Sequence, residues 1–145
     1  MRIAVYPGSF NPWHDGHNDV LKKSLKVFDL VIIAVGMNPA KEKNYNNPHN
    51  NNGVFRIPQE IRDDKRIDVR VFDGLLVDFI KEVDAAAIVR GLRNGVDLEY
   101  ERTQQYWNED LGIKVPTVCF ITDRELTHIS SSAIRMVEKL KNEKR

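Results

Sequence analysis

Leu30-Val31-Ile32-Ile33-Ala34-Val35 is an unbroken apolar run. A strand with one wet face would alternate polar and apolar side chains. A strand with no polar face suits a parallel sheet covered by helices on both sides. The neighbouring segments alternate between two periods. Residues 2–6 read as a strand, and residues 16–28 as a helix with Val20, Leu21, Leu25 and Phe28 on one face. Residues 67–72 alternate more and read as a strand nearer a sheet edge. A helix starts at 75–80, a short buried strand covers 86–89, a helix covers 97–111, a strand 115–121 and a last helix 131–141. This order predicts an α/β fold, a single-domain Rossmann-like parallel sheet with helices on both faces. Ligands in such sheets sit beyond the carboxyl ends of the strands.

The bulk properties set limits on partners. A chain of 145 residues is expected to form one domain, residues 1–145, with a real core. A formal net charge of +1 gives no reason to expect nucleic acid or a membrane as partner. Cys119 is the sole cysteine, within Val118-Cys119-Phe120-Ile121, so no internal disulfide can form. It reads as a small buried core residue, in keeping with a reducing compartment. No stretch is long and apolar enough to span a bilayer, and Met1 leads straight into a strand where a secretory signal would place a longer apolar run. A cytoplasmic protein is expected. Residues 44–52 hold six asparagines with Pro48 and His49, followed by Gly53. Such a segment cannot bury apolar area, and a mobile loop is expected over 42–55, either an active-site lid or a tolerated insertion.

The motifs that could carry chemistry follow predicted strands. Gly8-Ser9-Phe10-Asn11-Pro12-Trp13-His14-Asp15-Gly16-His17 follows Ile3-Ala4-Val5-Tyr6. Gly8 would let the backbone approach a ligand closely, and the helix start would offer unpaired N–H groups to an anion. Ser9 and Phe10 would add backbone donors, and the Ser9 hydroxyl another. His14 and His17 would share a helix face, directed at phosphate oxygens. A zinc site would need further ligands, and structural capping histidines are the other reading. Arg90-Gly91-Leu92-Arg93 follows the strand Ala86-Ala87-Ile88-Val89, where an arginine suits bidentate phosphate binding and Gly91 a tight turn around a ligand. The competing reading is a surface pair with Asp97, Glu99 or Glu101. Ile129-Ser130-Ser131-Ser132 opens the last helix, where one serine would cap it and three would suit a triphosphate. Lys41 follows the second strand and could reach the same crevice by location alone, while His49 and His128 carry no assignment from their own context.

Taken in order, these motifs resemble the bacterial phosphopantetheine adenylyltransferase family of the HxGH nucleotidyltransferases, over nearly the whole chain. The matching residues are Tyr6-Pro7-Gly8-Ser9-Phe10-Asn11-Pro12, Gly16-His17, Asp73 with Leu75-Leu76-Val77-Asp78-Phe79, Arg90-Gly91-Leu92-Arg93, Asp97 with Glu99-Tyr100-Glu101, and Ile129-Ser130-Ser131-Ser132. The resemblance implies a nucleotidyltransferase-type fold and transfer of AMP from ATP to phosphopantetheine, giving dephospho-CoA and pyrophosphate in coenzyme A synthesis. It implies Mg2+ carried by ATP, no protein metal ligands, and a homo-oligomer of six subunits. It assigns catalysis to His17, Lys41 and Arg90, and acceptor binding to Ser9, Lys41, Leu76 and Arg90. ATP would be held by Gly8, Ser9, Phe10, His14, His17, Gly91, Leu92, Arg93 and Glu101, and by Leu126, Thr127, His128, Ile129, Ser130, Ser131 and Ser132.

The chain departs from the family's pattern in two places. After the Lys41 position the family has Lys-Pro-Leu-Phe and a Glu-Glu-Arg helix. Here the asparagine-rich stretch is followed by Ile57-Pro58-Gln59-Glu60-Ile61-Arg62, which predicts a weaker helix. His14 stands where the family commonly has Thr. With Ser131-Ser132-Ala133-Ile134-Arg135 it also resembles nicotinate mononucleotide adenylyltransferases. The alternatives are therefore a relative acting on nicotinate or nicotinamide mononucleotide, or with CTP on an alcohol phosphate, and a non-catalytic nucleotide-binding protein. Chain length leans against the pyridine nucleotides, the Arg90 block favours pantetheine, and the His17, Lys41 and Arg90 set argues against lost catalysis.

Overall fold

In the computed structural model, which describes residues 1–37 and 53–144, the apolar run at 30–35 forms strand β2 (Leu30–Gly36), with Val31 to Val35 all buried. It lies between β1 (Ile3–Gly8) and β3 (Ile67–Phe72). Beyond β1 come β4 (Ala87–Leu92) and β5 (Thr117–Ile121), so the parallel sheet has the order β3-β2-β1-β4-β5. The expected edge position of residues 67–72 holds, because β3 ends the sheet.

The period-two geometry of strands explains the two cores. Ala4, Tyr6, Val31, Ile33, Val35, Ala87 and Val89 point to one face, where Val20 and Leu21 of helix α1 (Asp15–Leu25) meet them. Val5, Ile32, Ala34 and Ile88 point to the other, where Val77, Phe79 and Ile80 of helix α3 (Leu76–Val83) cover them. This is the predicted α/β sheet with helices on both faces. Helix α2 (Gln59–Arg62) is a single short turn starting after Pro58, as the weak pattern there predicts. Helices α4 (Gly95–Asp110) and α5 (Ser131–Glu143) complete the chain. Among the described residues, no helix is long and apolar enough to cross a membrane.

Several boundaries differ from expectation. Helix α1 ends at Leu25, and Phe28 is buried from the following turn. Strand β4 runs on through Arg90, Gly91 and Leu92, which pair with Cys119, Phe120 and Ile121. Polar Arg90 looked like a strand end in the sequence, yet hydrogen bonding to β5 continues the strand whatever the side chain. Cys119 is only partly buried, because β5 is a sheet edge. Lys41, His49 and residues 42–52 of the expected loop lie outside the described residues. Residues 53–55 run from buried Gly53 into a 3-10 turn, Val54–Arg56.

The register between the central strands is uneven. Strand β1 pairs with β4 at Ala4–Ala87 and Val5–Ile88, whereas its ladder to β2 continues to Gly8–Val35. Strands β1 and β4 therefore part toward their carboxyl ends.

Gly91 lies within β4, where an added Cβ would sit 2.6 Å from the Val20 Cγ2 of α1. Its missing side chain admits that helix, not the ligand turn expected from sequence. Gly91→Ala should destabilise the fold by about 1–3 kcal/mol through overpacking. Gly91→Ala with Val20→Ala should recover part of the loss beyond additivity, as read by urea unfolding.

Candidate active site

The parting of β1 and β4 opens a cleft of about 370 Å³ at the point where strand order reverses. Such switch points are where α/β sheets bind ligands. Its floor is the turn after β1. Phe10 takes a left-handed backbone (φ 49°) yet is only 2% exposed. Its ring lies where a Gly8 Cβ would be, 2.9 Å from the ring edge. The space cleared by Gly8 is thus filled by Phe10, while Gly8 itself lines the cleft. Phe10 packs edge-on to Tyr6 and His17, with Trp13 alongside.

Helix α1 begins with a reciprocal cap. The His14 Nδ1 accepts from the N–H groups of Gly16 (3.1 Å) and His17 (3.4 Å), and the His17 Nδ1 accepts from the His14 N–H (3.2 Å). The capping reading of His14 holds, and the cap takes the Gly16 and His17 donors of this helix start. Gly16 makes room for the His14 ring, since a Cβ there would lie 2.9 Å from it. The two imidazoles stack with centroids 3.7 Å apart. An Nδ1 that accepts from a backbone N–H leaves the ring proton on Nε2. His17 therefore presents an Nε2–H donor.

Strand β4 supplies the facing wall. The Arg90 Nε donates to Glu101 Oε1 of α4 at 2.9 Å, and Nη1 donates to the Pro7 carbonyl of β1 at 2.7 Å. Glu101 is 8% exposed, so this is no surface pair. Arg93 grips Asp97 through its backbone N–H (2.8 Å) and its guanidinium (3.1 and 3.3 Å), and reaches the Ile129 carbonyl at 3.1 Å. Both arginines are ion-paired and both line the cleft, so pairing and ligand facing coexist.

Each serine at the start of α5 has a structural partner. Ser130 Oγ accepts from the Ala133 N–H as the N-cap, and Ser131 Oγ donates to the Pro12 carbonyl at 2.9 Å. Ser132 Oγ accepts from Arg135, whose guanidinium also donates to the Asn11 carbonyl. The run of three, which exceeds a cap's need, also stitches α5 to the turn after β1.

Burial, then the neighbouring His14, Arg90 and Arg93, push the His17 pKa down from 6.5 to about 3. Burial and Arg93 also lower His14, against the pull of Asp15. Burial raises the Tyr6 hydroxyl well above its ordinary range. Burial would raise Asp97, but its hydrogen bonds from Arg93 outweigh this and hold the carboxyl low. The cleft therefore presents two carboxylate-paired guanidinium groups beside a neutral imidazole.

The cleft wall brings together Gly8, Ser9, Phe10, His14, His17, Arg90, Gly91, Arg93, Glu101, Ile129, Ser130 and Ser131 from the sequence expectation. Leu92, Leu126, Thr127, His128 and Ser132 do not line it, and Lys41 lies outside the described residues. Leu76 lines an adjoining recess of about 190 Å³ with Tyr100, Gln104, Asn108 and Thr117, across Arg90 and Glu101. Sequence reading missed Tyr6, Tyr100 and Thr122 as lining residues. It also missed Arg56, which donates to the Ser9 carbonyl at 3.1 Å. Tyr100 stood within the acidic-tyrosine block, which was a usable signal. Arg56 follows an asparagine-rich stretch with no period to read.

A donor-rich cleft at the switch point of a parallel sheet defines a nucleotide-binding protein of the nucleotidyltransferase type. Residues 5–137 match the cytidylyltransferase-like family. The chain is 41% identical over 139 residues to phosphopantetheine adenylyltransferase of Clostridium beijerinckii, covering 96% of this chain and 86% of that protein. It is 39% identical over 138 residues to that of Cytophaga hutchinsonii, covering 95% and 90%. Among solved structures, it is similar to a lipopolysaccharide core biosynthesis protein from Thermoplasma volcanium (TM-score 0.58, 25% identity, covering 85% and 98%). It shares its fold with pantoate-beta-alanine ligase of Francisella tularensis (TM-score 0.52, 13% identity, covering 95% and 69%). The chain belongs to the phosphopantetheine adenylyltransferase family and is a nucleotidyltransferase.

His17 should remain neutral, as the Nε2–H tautomer, from about pH 5 to about pH 8 by ¹⁵N NMR. An inflection near 6.5 would overturn the cap-and-burial account. Its folded pKa of about 3 lies below its ordinary 6.5. Its stabilisation is therefore complete above about pH 6.5 and is lost as pH falls toward 3, when the unfolded chain binds the extra proton.

Proposed function

We propose that the protein moves AMP from ATP to phosphopantetheine, giving dephospho-CoA and pyrophosphate. The observation that carries this reading is the placement of Arg90 between the main cleft and the Leu76 recess. Such a guanidinium can hold an acceptor phosphate beside a nucleotide while the rest of the acceptor lies in the recess. Nε and Nη1 of Arg90 are engaged, and Nη2 has no hydrogen-bond partner among the described residues. It is the atom we assign to the acceptor phosphate, with Lys41 as its partner on the strength of the family resemblance.

In this reading an oxygen of the acceptor phosphate attacks the α-phosphorus in line, and the bond to the β-phosphate breaks. Pyrophosphate leaves with the electron pair, and no covalent enzyme intermediate forms. The neutral His17 donates Nε2–H to the α-phosphoryl oxygen as charge builds there. Gly8, Ser9, Phe10 and Arg93 line the phosphate path, and the segment through Ile129, Ser130 and Ser131 borders the nucleotide. Glu101 keeps Arg90 in place.

Mg2+ is expected to enter with ATP. Among the described residues no three His, Cys, Asp or Glu groups are placed to hold a metal, and the cleft carboxylates Asp97 and Glu101 are each engaged by an arginine. That donor set fits an ion held by phosphate oxygens and water, with the ion neutralising phosphate charge when bound. We also propose a cytoplasmic homo-oligomer of six subunits. Tyr106, Trp107, Ile121, Met136 and Leu140 expose apolar side chains on α4, the β5 edge and α5, and no residue of α5 is buried.

With Mg2+ and ATP, pyrophosphate should be released with phosphopantetheine and not with nicotinate mononucleotide, and the product should have the mass of dephospho-CoA. Release with the pyridine nucleotide alone would overturn the acceptor. His17→Ala should lower turnover by about two to three orders of magnitude while changing ATP affinity far less. Near wild-type turnover would sink the mechanism. Light scattering should give six chain masses, and a monomer at micromolar concentration would refute the assembly.

A further inference from the structure

Helix α1 also carries, against the end of β5, a cluster that the proposed reaction does not use. Lys23 donates to Asp19 Oδ2 at 2.8 Å, to Asp123 Oδ1 at 2.8 Å and to the Ile121 carbonyl at 2.6 Å. All three ammonium donors are thereby taken. Asp19 Oδ2 also accepts from the Asp123 backbone N–H at 3.2 Å. Asp19 lies two residues after His17 on α1, and Ile121 is the last residue of β5. Asp123 opens the 3-10 turn Arg124–Leu126. An isolated exposed ion pair contributes little. This one joins an acid of its own helix to a strand-end carbonyl and a second acid about a hundred residues away, which is a different geometric task.

The segment that starts at Asp123 is anchored again at its other end. There Ser131 holds the Pro12 carbonyl and Arg93 holds the Ile129 carbonyl. Both the Lys23 anchor and the Ser131 anchor lie on the strand-turn-helix unit that carries His17. We propose that Lys23, with Asp19 and Asp123, is a positioning clasp that anchors the start of segment 123–130 and so sets its cleft-lining end, Ile129 and Ser130, at a fixed distance from His17. The proposal rests on the assignment of Ile129, Ser130 and Ser131 to the border of the ATP site. It gives Lys23 no contact with substrate.

None of Lys23, Asp19, Ile121 and Asp123 lines the Leu76 recess, so loss of the clasp should weaken nucleotide binding and spare the acceptor. Lys23→Met should bind ATP about tenfold more weakly by titration calorimetry, with the KM for phosphopantetheine within about twofold of wild type. Lys23→Arg, which keeps the charge and the donors, should recover most of the affinity. Asp123→Asn leaves the Lys23–Asp19 pair intact and should reproduce part of the loss even if Lys23→Met folds poorly. Unchanged ATP affinity in both variants, or equal weakening of ATP and phosphopantetheine, would overturn the clasp. Wild-type protein that binds ATP without releasing pyrophosphate would sink the proposed reaction while the ATP titrations still judge the clasp. Wild-type protein that fails to bind ATP would overturn both.

Discussion

Beyond Val5 and Ile88 the two central strands stop pairing, and the Arg90 guanidinium spans the gap. It bonds to the β1 backbone at Pro7 and to Glu101 on α4. A parallel sheet whose strands diverge must satisfy the freed polar groups by other means or admit water. Here a charged side chain takes that place, and the same group forms the border between two cavities. The sheet's shortest ladder and the site's central cation meet in one side chain.

The opposite wall depends on the start of α1. The reciprocal cap between His14 and His17 satisfies helix N–H groups, and in doing so leaves the His17 proton on Nε2. Burial and the nearby arginines then keep the ring uncharged. The cationic groups of the cleft are guanidiniums, each paired with a carboxylate, and pH does not switch them off. The imidazole contributes a directed dipole in a partly dry setting, where hydrogen bonds count for more.

Much of this was legible in the chain. The apolar run at 30–35 and the strand-turn-helix at the amino terminus fell on the expected elements. The differences arose where a residue serves its neighbours in a way the chain does not show. Gly8 makes room for Phe10, and Gly91 for Val20. Both glycines look the same in sequence as glycines that face a phosphate. Arg90 also looked like a strand end, because side-chain polarity carries no information about whether a backbone still has a pairing partner.

Local chemistry, acting over one to four residues, settled which segments are strands and helices. It also settled that His14 and His17 lie together where a helix begins, so these features can be read from the chain alone. The tertiary structure decided which side chains meet: Arg90 with Pro7 and Glu101, Ser131 with Pro12, Lys23 with Asp123. Most of these contacts join groups many tens of residues apart and leave no periodic trace. Their partners are chosen by how helices and strands pack, which depends on the whole core at once.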